Sequence, residues 1–196
     1  PAAFFLRRPD VPWRNLAAYG LLIGLVQFGA LYIAINGHIA PGLPSLVVQT
    51  QVFFTIGLAM SVSGERVQKF QWVALALAAT GIVVIGAHTD ADTTWVGLAL
   101  ALLAALGWSL GNMVGRQAGQ VNMLAYVVWA SGFSVPPLLL LSWLTEGWPA
   151  MQAGVAHADG YTWLAVAWQA WGNTLFGYAA WGWLLARHAA STITPL

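Results

Sequence analysis

Uncharged amides are the side chains with the most chemical capacity inside the apolar stretches of this chain. Gln27 lies in the first stretch; Gln49, Thr50, Gln51 and Thr55 cluster in the second; Asn112 is in the fourth; Gln169, Asn173 and Thr174 are in the sixth. An amide offers a donor end and an acceptor end. A set of them therefore suits a neutral or zwitterionic solute that needs hydrogen bonds but no ion pair. Gln169 and Asn173 stand four residues apart, on one face of a helix. The competing use of such groups is hydrogen bonding between helices, about 1 kcal/mol or less each. Trp108, Trp168, Trp171, Tyr178 and Trp181 suit either a cavity lining or plain aromatic packing.

Other constellations carry less. Gly107-Trp108-Ser109-Leu110-Gly111 matches the G-x-S-x-G pattern of a nucleophile elbow. That device needs a strand, a sharp turn and a helix, with acid and histidine partners downstream; here it falls inside an apolar run, where glycine and serine serve close packing. Without a buried nucleophile and base, an intramembrane enzyme is a weaker reading than a transporter, and no enzyme activity is expected. The other alternative, a non-transporting membrane scaffold or receptor, is weakly opposed by the polar residues scattered over several helices. The four histidines, His38, His88, His157 and His188, do not cluster, and none pairs with a carboxylate at metal-ligand spacing. No metal or cofactor is expected. The chain has no cysteine, so it has neither disulfides nor thiolate ligands. Basic residues never form the long runs that bind nucleic acid, and no nucleic-acid partner is expected.

The elements that hold the amides are set by where charge is permitted. All seven basic residues occupy alternate gaps: Arg7, Arg8 and Arg14 before the first stretch, Arg66 and Lys69 after the second, Arg116 after the fourth, Arg187 after the sixth. The intervening gaps carry Asp90, Asp92, Glu146 and Asp159 and no Lys or Arg. Basic loops stay cytoplasmic because translocating them is costly. The alternation predicts six membrane crossings, entered and left from the cytoplasmic side. Charged residues make up 7% of the chain, against about 25% in a soluble domain.

Charge-free windows at 15–64, 70–89, 93–115, 117–145 and 160–186 are long enough for spanning helices of about 20 residues, two in the first window. The predicted helices cover 16–35, 44–62, 71–87, 95–114, 123–144 and 163–185. The apolar runs are continuous rather than alternating, which excludes a lipid-facing barrel. The fold class is an all-α, polytopic membrane bundle. Trp13, Trp72, Trp95, Trp143, Trp148, Trp163 and Trp183 fall near predicted ends, at headgroup level. Pro136 and Pro137 remove two backbone donors from the fifth helix, and a kink is expected there. Gly20 with Gly24, and Gly107, Gly111 and Gly115, sit at four-residue spacing, which lets helices approach closely. Only 146–162 leaves room for a small surface element.

Both ends read as cut. Residues 2–6 resemble the last turn of an earlier helix, and 191–196, ending Thr194-Pro195-Leu196, resemble the start of another. A shift of 150 positions places Trp13 on Trp163, Ala30 on Ala180 and His38 on His188. The first helix leaves the cytoplasm and the sixth returns to it, so such a repeat would be inverted, as in many transporters.

Gly64-Glu65-Arg66-Val67, then Gln71 and Gly81-Ile82-Val83-Val84, resemble a cytoplasmic loop and repeat-ending helix of the EamA-type branch of the drug/metabolite transporter superfamily. Ala34-Ile35-Asn36-Gly37 and the run from Pro41 through Gln49-Thr50-Gln51 to Thr55 are similar to its exporters of cysteine and O-acetylserine. Gly97, Trp108, Gly111-Asn112 and Arg116 resemble the first helix of its second repeat. The resemblance implies a ten-helix protein of two inverted five-helix repeats. Residues 1–90 would be the end of the second helix and helices three to five, and 91–196 helices six to eight and the start of the ninth. It also implies a path between the repeats, making Gln27, Gln49, Gln51, Gln169 and Asn173 the candidate substrate-binding residues. The implied partners are a small-molecule substrate, an amino acid or derivative, and the lipid bilayer.

The absence of native cysteine makes the predicted topology directly testable. Single cysteines at Asp90 or Asp159 are expected to react with an impermeant thiol reagent from outside intact cells, and cysteines at Lys69 or Arg116 are not. Labelling at Lys69 would overturn the orientation.

Overall fold

The computed structural model describes residues 6–40, 42–63, 69–87, 93–177 and 179–180. Every regular element in them is helical. Helix α1 spans Trp13–Ile35, and its middle nine residues, Leu21–Gly29, wind as π-helix. Helix α2 is Leu43–Val48, α3 Gln51–Ser63 and α4 Lys69–Ala87. Helix α5 is Trp95–Gln117, α6 Met123–Glu146, α7 Trp148–Ala156 and α8 Gly160–Ala167, the last continuing as a second π segment, Trp168–Phe176. Among the described residues α1, α5 and α6 are long and apolar enough to cross a membrane. At 1.5 Å per residue, the 23 residues of α1 reach about 35 Å, against a hydrocarbon core of about 30 Å.

One expectation changes in detail. The second predicted stretch is not one helix. It breaks at Gln49–Thr50, where the amides of Gln49 and Thr50 bond three residues back to the carbonyls of Leu46 and Val47, at 3.2 and 3.0 Å. The Thr50 hydroxyl also donates to the Val47 carbonyl at 2.7 Å. This local back-bonding competes with the regular ladder and ends α2. Helix α6, by contrast, runs unbroken through Pro136 and Pro137. The surface element allowed for 146–162 is α7, which starts after Gly147 at φ 81° and carries proline in its first turn. The sequence features at 64–68, 88–92 and 181–196, including Arg66, Asp90, Trp181, Trp183, Arg187 and His188, lie outside the described residues, as does Tyr178.

Helix α1 is the centre of the packing, against both α5 and α6. Lipid tails are as apolar as leucine, so helices in a bilayer associate through close contact and hydrogen bonds rather than hydrophobic exclusion. The glycines supply the close contact. A Cβ on Gly20 or Gly24 would collide with Ala130 or Ser134 of α6; one on Gly107 or Gly111 of α5 would press on Val26 or Ile23 of α1. The serines supply the bonds. Ser134 donates to the Gly20 carbonyl at 2.7 Å, and fully buried Ser109 donates to the Gln51 carbonyl at 2.7 Å, tying α5 to α3. Ser109 is thus spent on backbone carbonyls, and its segment is continuous helix, not a strand–turn–helix elbow.

Each end of the bundle has its own tie. At the end bearing Arg14 and Arg116, Asn15 donates to the Val114 carbonyl at 3.0 Å and accepts from the Tyr126 hydroxyl at 2.7 Å, joining α1, α5 and α6. The Tyr126 ring is fully buried and meets Tyr19 edge-on, centroids 4.9 Å apart. The Arg8 guanidinium lies 4.1 Å from the centroid of a Trp13 ring, a cation–π contact. At the other end the chain reverses through Gly37 at φ 95°, a backbone that favours glycine. The His38 carbonyl then accepts from both the amide and the hydroxyl of Thr94, which caps α5 by accepting from the Gly97 amide. Tyr32 of α1 donates to the Glu146 carboxylate, which also accepts from Ser142. Asp159 caps α8; the Thr162 amide and hydroxyl bonding it hold its carboxyl below the usual carboxylate range. Helix α8 and its π continuation bury no residue among those described.

Gly24→Ala is expected to cost about 1–3 kcal/mol by overpacking, while Gly132→Ala, whose new Cβ meets nothing within 4 Å, is expected to be neutral or slightly stabilising. Thermal unfolding in detergent checks both. Ser109→Ala should lower stability by about 0.6–1 kcal/mol, the usual scale of an interhelical bond in a membrane, with no loss of any activity the whole protein shows. Abolished activity in well-folded S109A would contradict a purely structural serine.

Candidate functional site

A cavity of about 540 Å³ runs as a groove along one face of α1. Tyr19, Ile23, Gln27, Leu31 and Ile35 line it, each four residues from the last. An α turn takes 3.6 residues and a π turn, closed by i→i+5 bonds, takes more than four. A four-residue stripe therefore drifts one way in the α parts of α1 and the other way in its π middle. The π segment keeps all five side chains on one side. From Tyr19 to Ile35 the stripe extends on the order of 20 Å.

The opposite wall comes from two places. Pro44, Ser45 and Val48 of α2, with Gln49 at the α2–α3 break, close the end near Ile35. Trp108 and Asn112 of α5 close the other. The break after Val48 thus does structural work: it places Gln49 on the groove while Gln51, already in α3, faces elsewhere and offers its carbonyl to Ser109. Three amides, Gln27, Gln49 and Asn112, face the groove, and no charged side chain does. Gln27 is only 6% exposed, and its Oε1 has no hydrogen-bond partner among the described residues. Ser45 is spent on the Gly42 carbonyl at 2.7 Å. A volume in the range of ordinary small-molecule pockets, about 300–1,000 Å³, lined by amides interspersed with Phe28, Leu31 and Val48, suits a small solute with both polar and apolar parts.

The structure brings Gln27 and Gln49 together on this groove. It does not place Gln51, Gln169 or Asn173 there. Gln169 and Asn173 are exposed on the second π segment, where the Asn173 side-chain amide donates to Gln169 Oε1 at 2.9 Å. Their shared face was legible from the four-residue spacing; their position relative to the groove was not. Asn112 belongs to the groove although its helix alone gave no reason to prefer it over a packing role. The signal that could have found it is its place one turn beyond Trp108, on the same face of α5 as the groove. Among the described residues no group of histidine, cysteine or carboxylate side chains is arranged to hold a metal ion.

No protein-family model and no solved structure matches the chain. Curated sequences do. The "Probable amino-acid metabolite efflux pump" of Salmonella typhimurium is 36% identical over 202 aligned residues, covering all of this chain and 68% of the relative. The protein of the same name from Escherichia coli K12 is 34% identical over the same extent. The "Uncharacterized inner membrane transporter YedA" of Escherichia coli K12 is 29% identical over 136 residues, 63% of this chain and 44% of that protein. Full-chain identity at this level to two proteins named as efflux pumps, together with three membrane-length apolar helices and no strand among the described residues, leads to the assignment: the chain belongs to the EamA-type branch of the drug/metabolite transporter superfamily.

Proposed function

We propose that this protein is a secondary transporter of a bacterial inner membrane that exports a small polar metabolite, an amino acid or derivative, by alternating access. The observation that carries the reading is the groove of α1, α2 and α5, whose polar lining includes three amides and, among the described residues, no charge. A charged partner would hold an ionic solute at one place; amides spaced along a groove offer hydrogen bonds that a passing solute can exchange. The names of the two efflux pumps similar to the full chain support the direction and the class of cargo.

In this reading residues 1–90 belong to a first repeat and 91–196 to an inverted second one, with the basic gaps cytoplasmic. Helix α1 would be the third helix of the family pattern and α8 with its continuation the eighth, so the two hold equivalent places. Each carries a nine-residue π segment, and each segment carries amides: Gln27 in Leu21–Gly29, Gln169 and Asn173 in Trp168–Phe176. That pairing supports the inverted repeat. Gln51, Gln169 and Asn173 remain candidates for the part of the path formed when the second repeat moves against the first, since such transporters rock one half against the other around a central site.

Efflux is the test. Cells expressing the full-length gene are expected to release amino-acid metabolites faster than cells without it, and Gln49→Ala or Asn112→Ala is expected to reduce that release about tenfold at equal membrane abundance. Unchanged efflux in both variants would remove the groove from the transport path; no efflux above background in the wild type would remove the transport reading itself.

A further inference from the structure

Gln27 differs from every other buried polar side chain that joins the helices. Asn15, Ser109, Ser134 and Tyr126 are each spent on a neighbouring helix. Gln27 is deeply buried, yet its Oε1 accepts from nothing among the described residues. A buried acceptor without a donor costs its full desolvation penalty, whereas an apolar side chain of the same shape would cost nothing there. Such an atom in an otherwise well-satisfied bundle calls for a partner. The donors of the described groove wall, the Gln49 and Asn112 amides and the Trp108 indole among them, leave it unpaired.

We propose that the partner is the amino group of the transported solute: Gln27 Oε1 accepts the substrate's N–H, and the groove thereby selects amine-bearing solutes over their deaminated counterparts. The inference rests on the transport reading above and deepens it. The terminal torsion of glutamine is broad and soft, so a turn of the amide presents Oε1 to the groove that Gln27 already lines. The facing wall supplies the complement. Gln49 and Asn112 each carry an NH₂ that can donate to a carboxylate. An amine with its own carboxylate brings both charges into the groove as one neutral unit, which fits a lining without charge. A solute with an amine but no carboxylate would bring an uncompensated charge. The apolar residues of both walls, Phe28, Leu31 and Val48, then surround the solute's side chain. The substrate class is an α-amino acid or derivative with an uncharged side chain.

The experiment uses the full-length protein in proteoliposomes, with uncharged L-α-amino acids and their O-acyl and S-alkyl derivatives as probes. Each is paired with the acid in which hydrogen replaces the amino group. Transport is measured directly, and binding by the fluorescence of Trp108 and its neighbours. Wild type is expected to favour the amine of each transported pair by about tenfold to a hundredfold, the scale of one charge-assisted hydrogen bond. Gln27→Met keeps the length of the side chain and removes the acceptor; its preference is expected to fall to near unity. Because the unpaired acceptor is gone, unliganded Q27M should melt no lower than wild type. If Q27M does not fold, Gln27→Glu decides: it keeps acceptor oxygens at the same place and is expected to retain or enlarge the preference for the amine. A wild-type preference preserved in Q27M, or lost in Q27E, overturns the inference and leaves transport standing. A wild type that neither binds nor moves any probe overturns the transport reading, and this inference with it.

Discussion

Close approach of α1 to α5 and α6 through glycine is the contact on which the rest of this structure depends. Inside a bilayer no hydrophobic gain brings two apolar helices together, so van der Waals contact and a few hydrogen bonds must do it. Gly20 and Gly24 let the backbone of α6 come close on one side of α1; Gly107 and Gly111 let Ile23 and Val26 seat on the other. Ser134 and Ser109 then find carbonyls within reach because the backbones are already near. Replacing a glycine here would not only add a clash; it would lengthen the bonds that follow from the contact.

With two faces of α1 committed to packing, a third is left for the groove. Its lining depends on departures from regular helix. The π middle of α1 keeps Tyr19, Ile23, Gln27, Leu31 and Ile35 on one side, and the break at Gln49–Thr50 brings Gln49 to the opposite wall. Both departures place an amide on the groove. Irregular backbone at membrane depth is tolerated only where it is buried in protein or borders a cavity, and π segments often mark functional positions. Irregular winding and polar lining therefore have a common cause in the space they border.

The polar groups of the bundle divide into two kinds by whether they are satisfied. Asn15, Tyr126, Thr94 and the two serines are bonded across helices and fix the ends and the centre. Gln27, at the groove, is buried and keeps an unpaired acceptor. The first kind costs little because the bond replaces water. The second is expensive in a medium of low dielectric unless something else supplies the donor. A transporter needs this second kind, since a path whose polar groups were all internally satisfied would offer a solute nothing in exchange for its own water.

Sequence alone determined that the chain is a membrane bundle, because charge is excluded from lipid and the excluded stretches can be read directly. The ranges of α1, α4, α5 and α6 follow from the same rule to within a few residues, and the glycine spacing marked the faces that pack. The amides at Gln27 and Gln49 were visible for a similar reason: a polar group in an apolar helix must face protein or a cavity. Sequence could not tell which of these two it faces. Asn112 and Ser109 lie on one helix three residues apart, yet one lines the groove and the other ties α5 to α3. Gln49 and Gln51 part in the same way across a break that only the hydrogen bonds of Thr50 reveal. Local composition sets what a side chain must avoid; the rotation of each helix, fixed by long-range glycine contacts, decides what it meets.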